Sequence, residues 1–191
     1  MAKENKTKYA ILGVLSIKPG SGYDIKKFCD KSIAHFWNEN YGHIYPVLKQ
    51  LEQDGWVCKT TEISESKMRN IYNITDLGKQ KLIEWLSVPP EIMQARYEFL
   101  LKMFFSHYIS ADIVIERLEK SIEHCKNIQK QYKEIEKSFQ NKLNDTEYCS
   151  KDLPYRYLTL RYGILNLESD IRWCEESIEL IKLSNIKEET L

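Results

Sequence analysis

The sequence predicts a mainly α-helical protein with one small β-hairpin, a helix-turn-helix domain carrying a hairpin wing and followed by an all-helical dimerisation domain. Three observations carry that reading. Short apolar segments at helical spacing, with Pro–Gly or capping residues between them, occupy the first fifty or so positions. Two runs rich in β-branched and aromatic residues follow, separated by a polar tetrad. Beyond Val88-Pro89-Pro90 only long helical patterns remain, the last of them in heptads.

Tyr9–Ile17 is apolar and is stopped by Pro19-Gly20, which makes it a short buried helix. Ser21 is placed to cap a second helix, Tyr23–Phe36, whose Ile25, Phe28, Cys29, Ile33 and Phe36 share one face. A third helix is expected from about His43 to Gln53, with Ile44, Val47, Leu48 and Leu51 inward. Pro46 costs little in a first turn, so it sets the start near Gly42 or His43. Gly55 suits the helix end. Strands are expected at Trp56–Ile63 and Met68–Ile74 around a tip Ser64-Glu65-Ser66-Lys67. Thr75 or Asp76 caps a fourth helix, Leu77–Leu86.

The second half, residues 89–191, opens with the densely apolar Glu91–Tyr108. It reads as a helix buried on most faces. A long helix follows from Ser110 or Ala111 to about Leu143. After a loop region between Asn144 and Pro154 comes a last helix, Tyr155 to about Leu183. Its seam of Leu160, Ile164, Leu167, Ile171, Cys174, Ile178 and Ile181 alternates four- and three-residue steps, the pattern of coiled-coil packing, and is expected to form the dimer interface.

Bulk composition narrows the function classes. Apolar residues make up 42% of the chain and the formal charge is zero. The charges are unevenly shared: 13 Lys and Arg against 10 Asp and Glu up to Val88, then 15 against 18. That mild basic excess in residues 1–88 fits nucleic-acid binding only weakly. Five cysteines, widely spaced and with no C-x-x-C pair, suggest reduced thiols in a cytoplasm rather than a disulfide framework or a zinc site. Neither a signal peptide nor a membrane span is expected. No phosphate loop, nucleophile elbow or metal-ligand spacing points to an enzyme or a cofactor, and His107 and the His124-Cys125 pair read as structural.

Helix, helix, helix, hairpin is the winged-helix order, in which the third helix enters the major groove and the hairpin meets the backbone or the minor groove of double-stranded DNA. With Ile44, Val47, Leu48 and Leu51 inward, His43, Tyr45 and Lys49 are left outward. Lys67 and Arg69 put cations near the hairpin tip, with Lys59 a possible helper. Ser21 and Tyr23, at the start of the second helix, offer a hydroxyl and free N–H groups to a phosphate.

Three segments together resemble the PadR family of transcriptional regulators. Gly42-His43-Ile44-Tyr45-Pro46-Val47-Leu48, with Leu51-Glu52 and Asp54-Gly55-Trp56-Val57, is similar to its recognition-helix signature. Arg69-Asn70-Ile71-Tyr72-Asn73-Ile74-Thr75-Asp76-Leu77-Gly78 is similar to its wing signature, and Leu12-Gly13-Val14-Leu15 with Gly22-Tyr23-Asp24-Ile25 fits its opening. The match spans about Tyr9 to Leu86, and the remainder resembles the longer subgroup with a helical C-terminal domain. The resemblance implies a homodimer on a palindromic operator, usually a repressor released by a small-molecule effector. It places DNA contacts at His43, Tyr45, Lys49, Lys67 and Arg69. The sequence departs from the family at His43, Trp56, Asn70 and Ile71, which bears on the operator more than on the fold.

Plainer roles stand beside these. Tyr45 suits a core tyrosine, Lys67 and Arg69 suit solvated hairpin charges, and the heptads suit packing within one subunit. A winged-helix module that binds proteins instead of an operator is the alternative function. An effector seated between Glu91–Tyr108 and the last helix is expected to alter the spacing of the two wings.

Overall fold

The computed structural model of the chain describes residues 5–34, 36, 37, 39–64, 67–91, 96–144 and 150–188. These fall into two units, Met1–Met93 and Gln94–Leu191.

In the first unit, α1 (Thr7–Ile17), α2 (Gly22–Ser32) and α3 (Tyr41–Gln53) precede β1 (Val57–Ser64), β2 (Lys67–Ile74) and α4 (Asp76–Leu86). One apolar core joins them: Ile11, Leu12 and Leu15 of α1, Ile25 and Cys29 of α2, Ile44, Leu48 and Leu51 of α3, and Val57 and Tyr72 of the hairpin. Three helix starts are capped by side chains, Ser21 for α2, Asn40 for α3 and Thr75 for α4. Each accepts an N–H that the first turn leaves without a helical partner.

The α3–β1 corner depends on Gly55, whose φ of 72° lies in the left-handed region. Its N–H donates to the Glu52 carbonyl and that of Trp56 to Leu51, the paired bonds of a Schellman ending. The strands pair antiparallel from Val57 with Ile74 to Ser64 with Lys67. The expected tip therefore closes on its own end residues, and Glu65 and Ser66 lie outside the described residues. A third segment joins the sheet, for Gly20 and Tyr72 exchange both backbone bonds at 3.2 and 2.9 Å. The hairpin is thereby stitched to the α1–α2 turn.

Two expectations change here. The second helix stops at Ser32, not Phe36, because the Ala34 N–H turns back to the Cys29 carbonyl. Beyond it Glu39, only 3% exposed, accepts from the Trp37 indole N–H at 2.5 Å and from the Thr7 hydroxyl at 3.2 Å. The α2–α3 turn is thus pinned to the start of α1. The third helix begins at Tyr41, so Pro46 sits in its second turn and leaves the Gly42 carbonyl without the usual N–H. Asn40 offsets this by capping the His43 N–H at 3.0 Å.

In the second unit, α5 (Glu98–Phe104) and a short 3-10 turn (Ser106–Tyr108) lead into α6 (Ala111–Asn144) and α7 (Leu153–Glu188). Pairings of Lys126 with Glu175, Gln129 with Glu168 and Arg161 with Glu136 run in opposite chain directions, so α6 and α7 form an antiparallel hairpin. Val114, Leu118 and Cys174 are the buried centre of their packing. The continuous buried helix expected over Glu91–Tyr108 is replaced by the shorter α5, and Ile92 and Met93 lie outside the described residues. Phe104 and Tyr108 are 79% and 81% exposed. Apolar density demands a cover, and the described residues of the second unit do not supply one here.

Candidate nucleic-acid interface

Three elements meet at the start of α2. Ser21 and Asp24 cap it reciprocally: the Asp24 N–H donates to Ser21 Oγ at 3.3 Å, and the Ser21 N–H to Asp24 Oδ2 at 2.9 Å. From α3, the ring of Tyr45 lies so close to Gly22 that a Cβ there would fall 2.8 Å from Tyr45 Cε1. From β2, Arg69 Nη2 reaches Asp24 at 2.8 and 3.0 Å and Ser21 Oγ at 3.1 Å.

The outward face of α3 follows from its inward one. Ile44, Leu48 and Leu51 are almost fully buried, which turns His43, Tyr45 and Lys49 to solvent, all three exposed. Tyr45 keeps half its surface accessible although one face of its ring rests on Gly22. Tyr23, in the first turn of α2, is equally exposed. Lys49 has no ion-pair partner among the described residues. These residues make an exposed surface of aromatic rings, an imidazole and an ammonium, suited to base edges and phosphates.

The other expected contacts fare differently. Ser21 is only 8% exposed, its hydroxyl donates to Asp24 at 2.7 Å, and a carboxylate already occupies the positive end of α2. Its hydroxyl and the helix end beside it are therefore engaged within the chain. Arg69 is likewise committed to Asp24. Lys59 is paired with Glu52 at 3.1 Å. Lys67 opens β2, and its side chain lies outside the described residues. Partial burial pushes the Asp24 carboxyl up, but the Ser21 hydroxyl and backbone N–H, with the Arg69 guanidinium, together hold it below its ordinary value.

Two residues that matter here went unnoticed in the sequence. Asp24 stood at capping-box spacing from Ser21, a readable signal. Glu39 had none: Trp37 is a near neighbour, but its other partner, Thr7, lies 32 positions away and meets it only through the fold.

In the second unit the heptad seam of α7 meets α6 of the same chain. Leu160, Ile164 and Cys174 are 5%, 1% and 2% exposed, and Ile178 and Ile181 pack beside Cys174. Leu167 and Ile171 are half-buried. A heptad stripe specifies a helical neighbour, and within the chain α6 is that neighbour. A second stripe, Tyr155, Leu158, Tyr162 and Leu165, repeats at three- and four-residue steps on another face of α7 and is exposed. Phe99 of α5 packs edge-on against Trp173. A shallow groove of about 360 Å³ lies between α5 and α6, lined by Leu101, Lys102, Phe105, Ser106, Ile109 and Arg117. Among the described residues no helix is long and apolar enough to cross a membrane.

Residues 11–84 match the profile of the "Transcriptional regulator PadR-like family", and residues 95–182 that of "Virulence activator alpha C-term". The negative transcriptional regulator PadR of Bacillus subtilis is 30% identical over 180 residues, covering 91% of this chain and 96% of that protein. Its crystal structure with operator DNA superposes with a TM-score of 0.81 at 28% identity, over 93% of this chain and 99% of that one. Its complex with p-coumaric acid gives 0.73 at 26% identity, over the same shares. The Vibrio cholerae virulence activator AphA gives 0.72 at 27% identity, over 93% of this chain and 98% of that one.

Proposed function

Since this chain belongs to the PadR family of transcriptional regulators, we propose that it acts as a ligand-responsive homodimeric repressor that docks α3 of each subunit into the major groove of a palindromic operator. The observation that carries this reading is the two-sided character of α3, with a fully apolar inner face and His43, Tyr45 and Lys49 exposed on the outer one. The relative solved with operator DNA supports it. Tyr23 and the wing's Lys67 extend the contact surface, with Tyr45 and His43 at base edges and Lys49 and Lys67 on phosphates. Ser21 and Arg69 support these groups from behind. The module comprising residues 1–88 binds DNA; the helical part, residues 89–191, joins the subunits and takes the effector. The protein works in the cytoplasm as a regulator without catalysis of its own.

The dimer, in this reading, forms through the uncovered stripe of α7, because Leu160, Ile164 and Cys174 of the seam first expected there are already buried within the subunit. A two-fold dimer sets two recognition helices one turn of DNA apart or a multiple of it. Ligand responsiveness draws support from the relative solved with p-coumaric acid. The groove between α5 and α6, with Lys102 and Arg117 on its walls, is a place where a small anionic molecule can bias the helices.

The deciding experiment is an electrophoretic shift on the intergenic DNA upstream of the protein's own gene, with excess nonspecific competitor at two salt concentrations. A discrete competitor-resistant shift is expected. Lys49→Ala is expected to weaken it and to lower the salt slope by about 0.9, the loss of one phosphate contact. No preference for any fragment of a genomic library would favour the protein-interaction module instead.

A further inference from the structure

Arg69 stands where a wing cation is expected to meet DNA, yet its guanidinium is turned back onto the protein. Glu62 lies directly opposite it in the β ladder, but the ion pair is with Asp24 of α2, at 2.8 Å. Asp24 is itself held in place by both halves of the capping box. The guanidinium and carboxylate are each nearly half exposed, so water screens the pair and it opens readily. Arg69 is therefore a cation kept on the protein by a fixed anion rather than one locked in a core.

We infer that Asp24 is a specificity-determining residue: it withholds Arg69 from DNA phosphates, so that the wing adds no sequence-blind backbone contact there. This rests on the operator-binding reading above. A phosphate contact strengthens binding to every duplex alike. The quantity a regulator needs is the ratio between its site and the many competing ones. A carboxylate that occupies the guanidinium, and itself repels phosphate, lowers the common term and leaves discrimination to the outer face of α3.

The test uses the full-length protein with Asp24→Asn, Arg69→Gln and the double substitution. Asn at position 24 still accepts the Ser21 N–H, so the helix start is preserved, and thermal melts check this. Affinity is measured for a mixed-sequence duplex and for the fragment that the parent protein shifts, at about 50 and 200 mM salt. Asp24→Asn is expected to bind the mixed duplex several-fold tighter. Over that salt range it should lose about three- to fourfold more affinity than the parent, the increment of one added phosphate contact. The double substitution is expected to cancel the gain and return to the parent's affinity for the mixed duplex, while Arg69→Gln alone, which leaves the Asp24 carboxylate unpaired, is expected to bind it somewhat more weakly than the parent. The inference is overturned if the double substitution keeps the gain of Asp24→Asn or falls a full phosphate contact below the parent, or if Asp24→Asn leaves mixed-duplex binding unchanged or weaker. Should Asp24→Asn fail to fold, Asp24→Gln, the neutral residue that also suits the third position of a capping box, takes its place with and without Arg69→Gln. A parent protein with no fragment preference at all would sink the operator reading and this inference with it; a preference that persists while the arms fail overturns the inference only.

Discussion

The ring of Tyr45 occupies the space that a side chain on Gly22 would need, with Cε1 2.8 Å from the position of that Cβ. Helix α3 and the start of α2 are thereby fitted to each other through a residue with no side chain. Gly22→Ala is expected to push the ring outward, since Tyr45 is half exposed and free to swing. Operator affinity should fall roughly tenfold, the scale of one disturbed contact at ~1–3 kcal/mol, while the melting temperature changes by only a few degrees. Fluorescence anisotropy on the operator fragment beside a thermal melt separates the two effects. Unchanged affinity would remove Tyr45 from the interface.

Glu39 is buried with two donors and pins the α2–α3 turn to α1. Glu39→Ala strands the Trp37 indole N–H and the Thr7 hydroxyl, a loss of about 1–3 kcal/mol. Glu39→Gln should lose much less, because its amide oxygen still accepts from the indole and its N–H donates to the hydroxyl, which can turn to accept. Urea melts of the two variants check the order; equal losses would mean that the charge, rather than the bonding pattern, is what the turn requires.

Thiol chemistry is expected to divide the cysteines. Burial, reinforced by the nearby Glu39 and Asp30 charges, pushes the Cys29 thiol up to about 11. Burial raises Cys125 and Cys174 as well. A raised folded-state value means that the stability from burying the neutral thiol is complete below the ordinary 9.0 and is lost as the pH climbs from there through about 11. In a Cys149→Ser background, an aromatic disulfide reagent at pH 8 should label the exposed Cys58 quickly and the other three only on unfolding. Fast labelling at a second site would contradict the packing around one of them.

The exposed stripe on α7 gives the dimer its own test. Leu158→Glu with Tyr162→Glu places two charges on that face, and sedimentation is expected to show a monomer whose helix content is retained. Leu160→Glu instead inserts a charge into the α6–α7 packing and should unfold the second unit. A double variant that remains dimeric would move the interface to another surface, such as α5.

The sequence was most legible where local chemistry decides the outcome. Ser21, Thr75 and Gly55 announced their helix ends because a cap or a left-handed residue needs only its nearest neighbours. The phase of α3 was equally clear, because Ile44, Leu48 and Leu51 leave one face for the core. It was least legible where a residue's partner is remote. Arg69 read as a free cation because Asp24 lies 45 positions away in the chain. The α7 heptads named a neighbour without saying whether it came from the same chain. Tyr41, one residue past its cap, was missed because Pro46 argued for a later start, and Asn40 outweighed it.

None of the groups that hold α3 in place lies on its exposed face. Asn40 and Gly55 close its ends, and Ile44, Leu48 and Leu51 seat it, while His43 and Lys49 serve neither purpose with their side chains. The helix is therefore a stable mount with replaceable lettering. In the operator-binding reading, a lineage, or an engineer, can rewrite position 43 to address new promoters and position 49 to set the grip on the backbone without renegotiating the fold. Position 45 is the exception: because its ring is fitted to Gly22, a change there gains or loses room at a second site, and the two positions have to evolve as a pair.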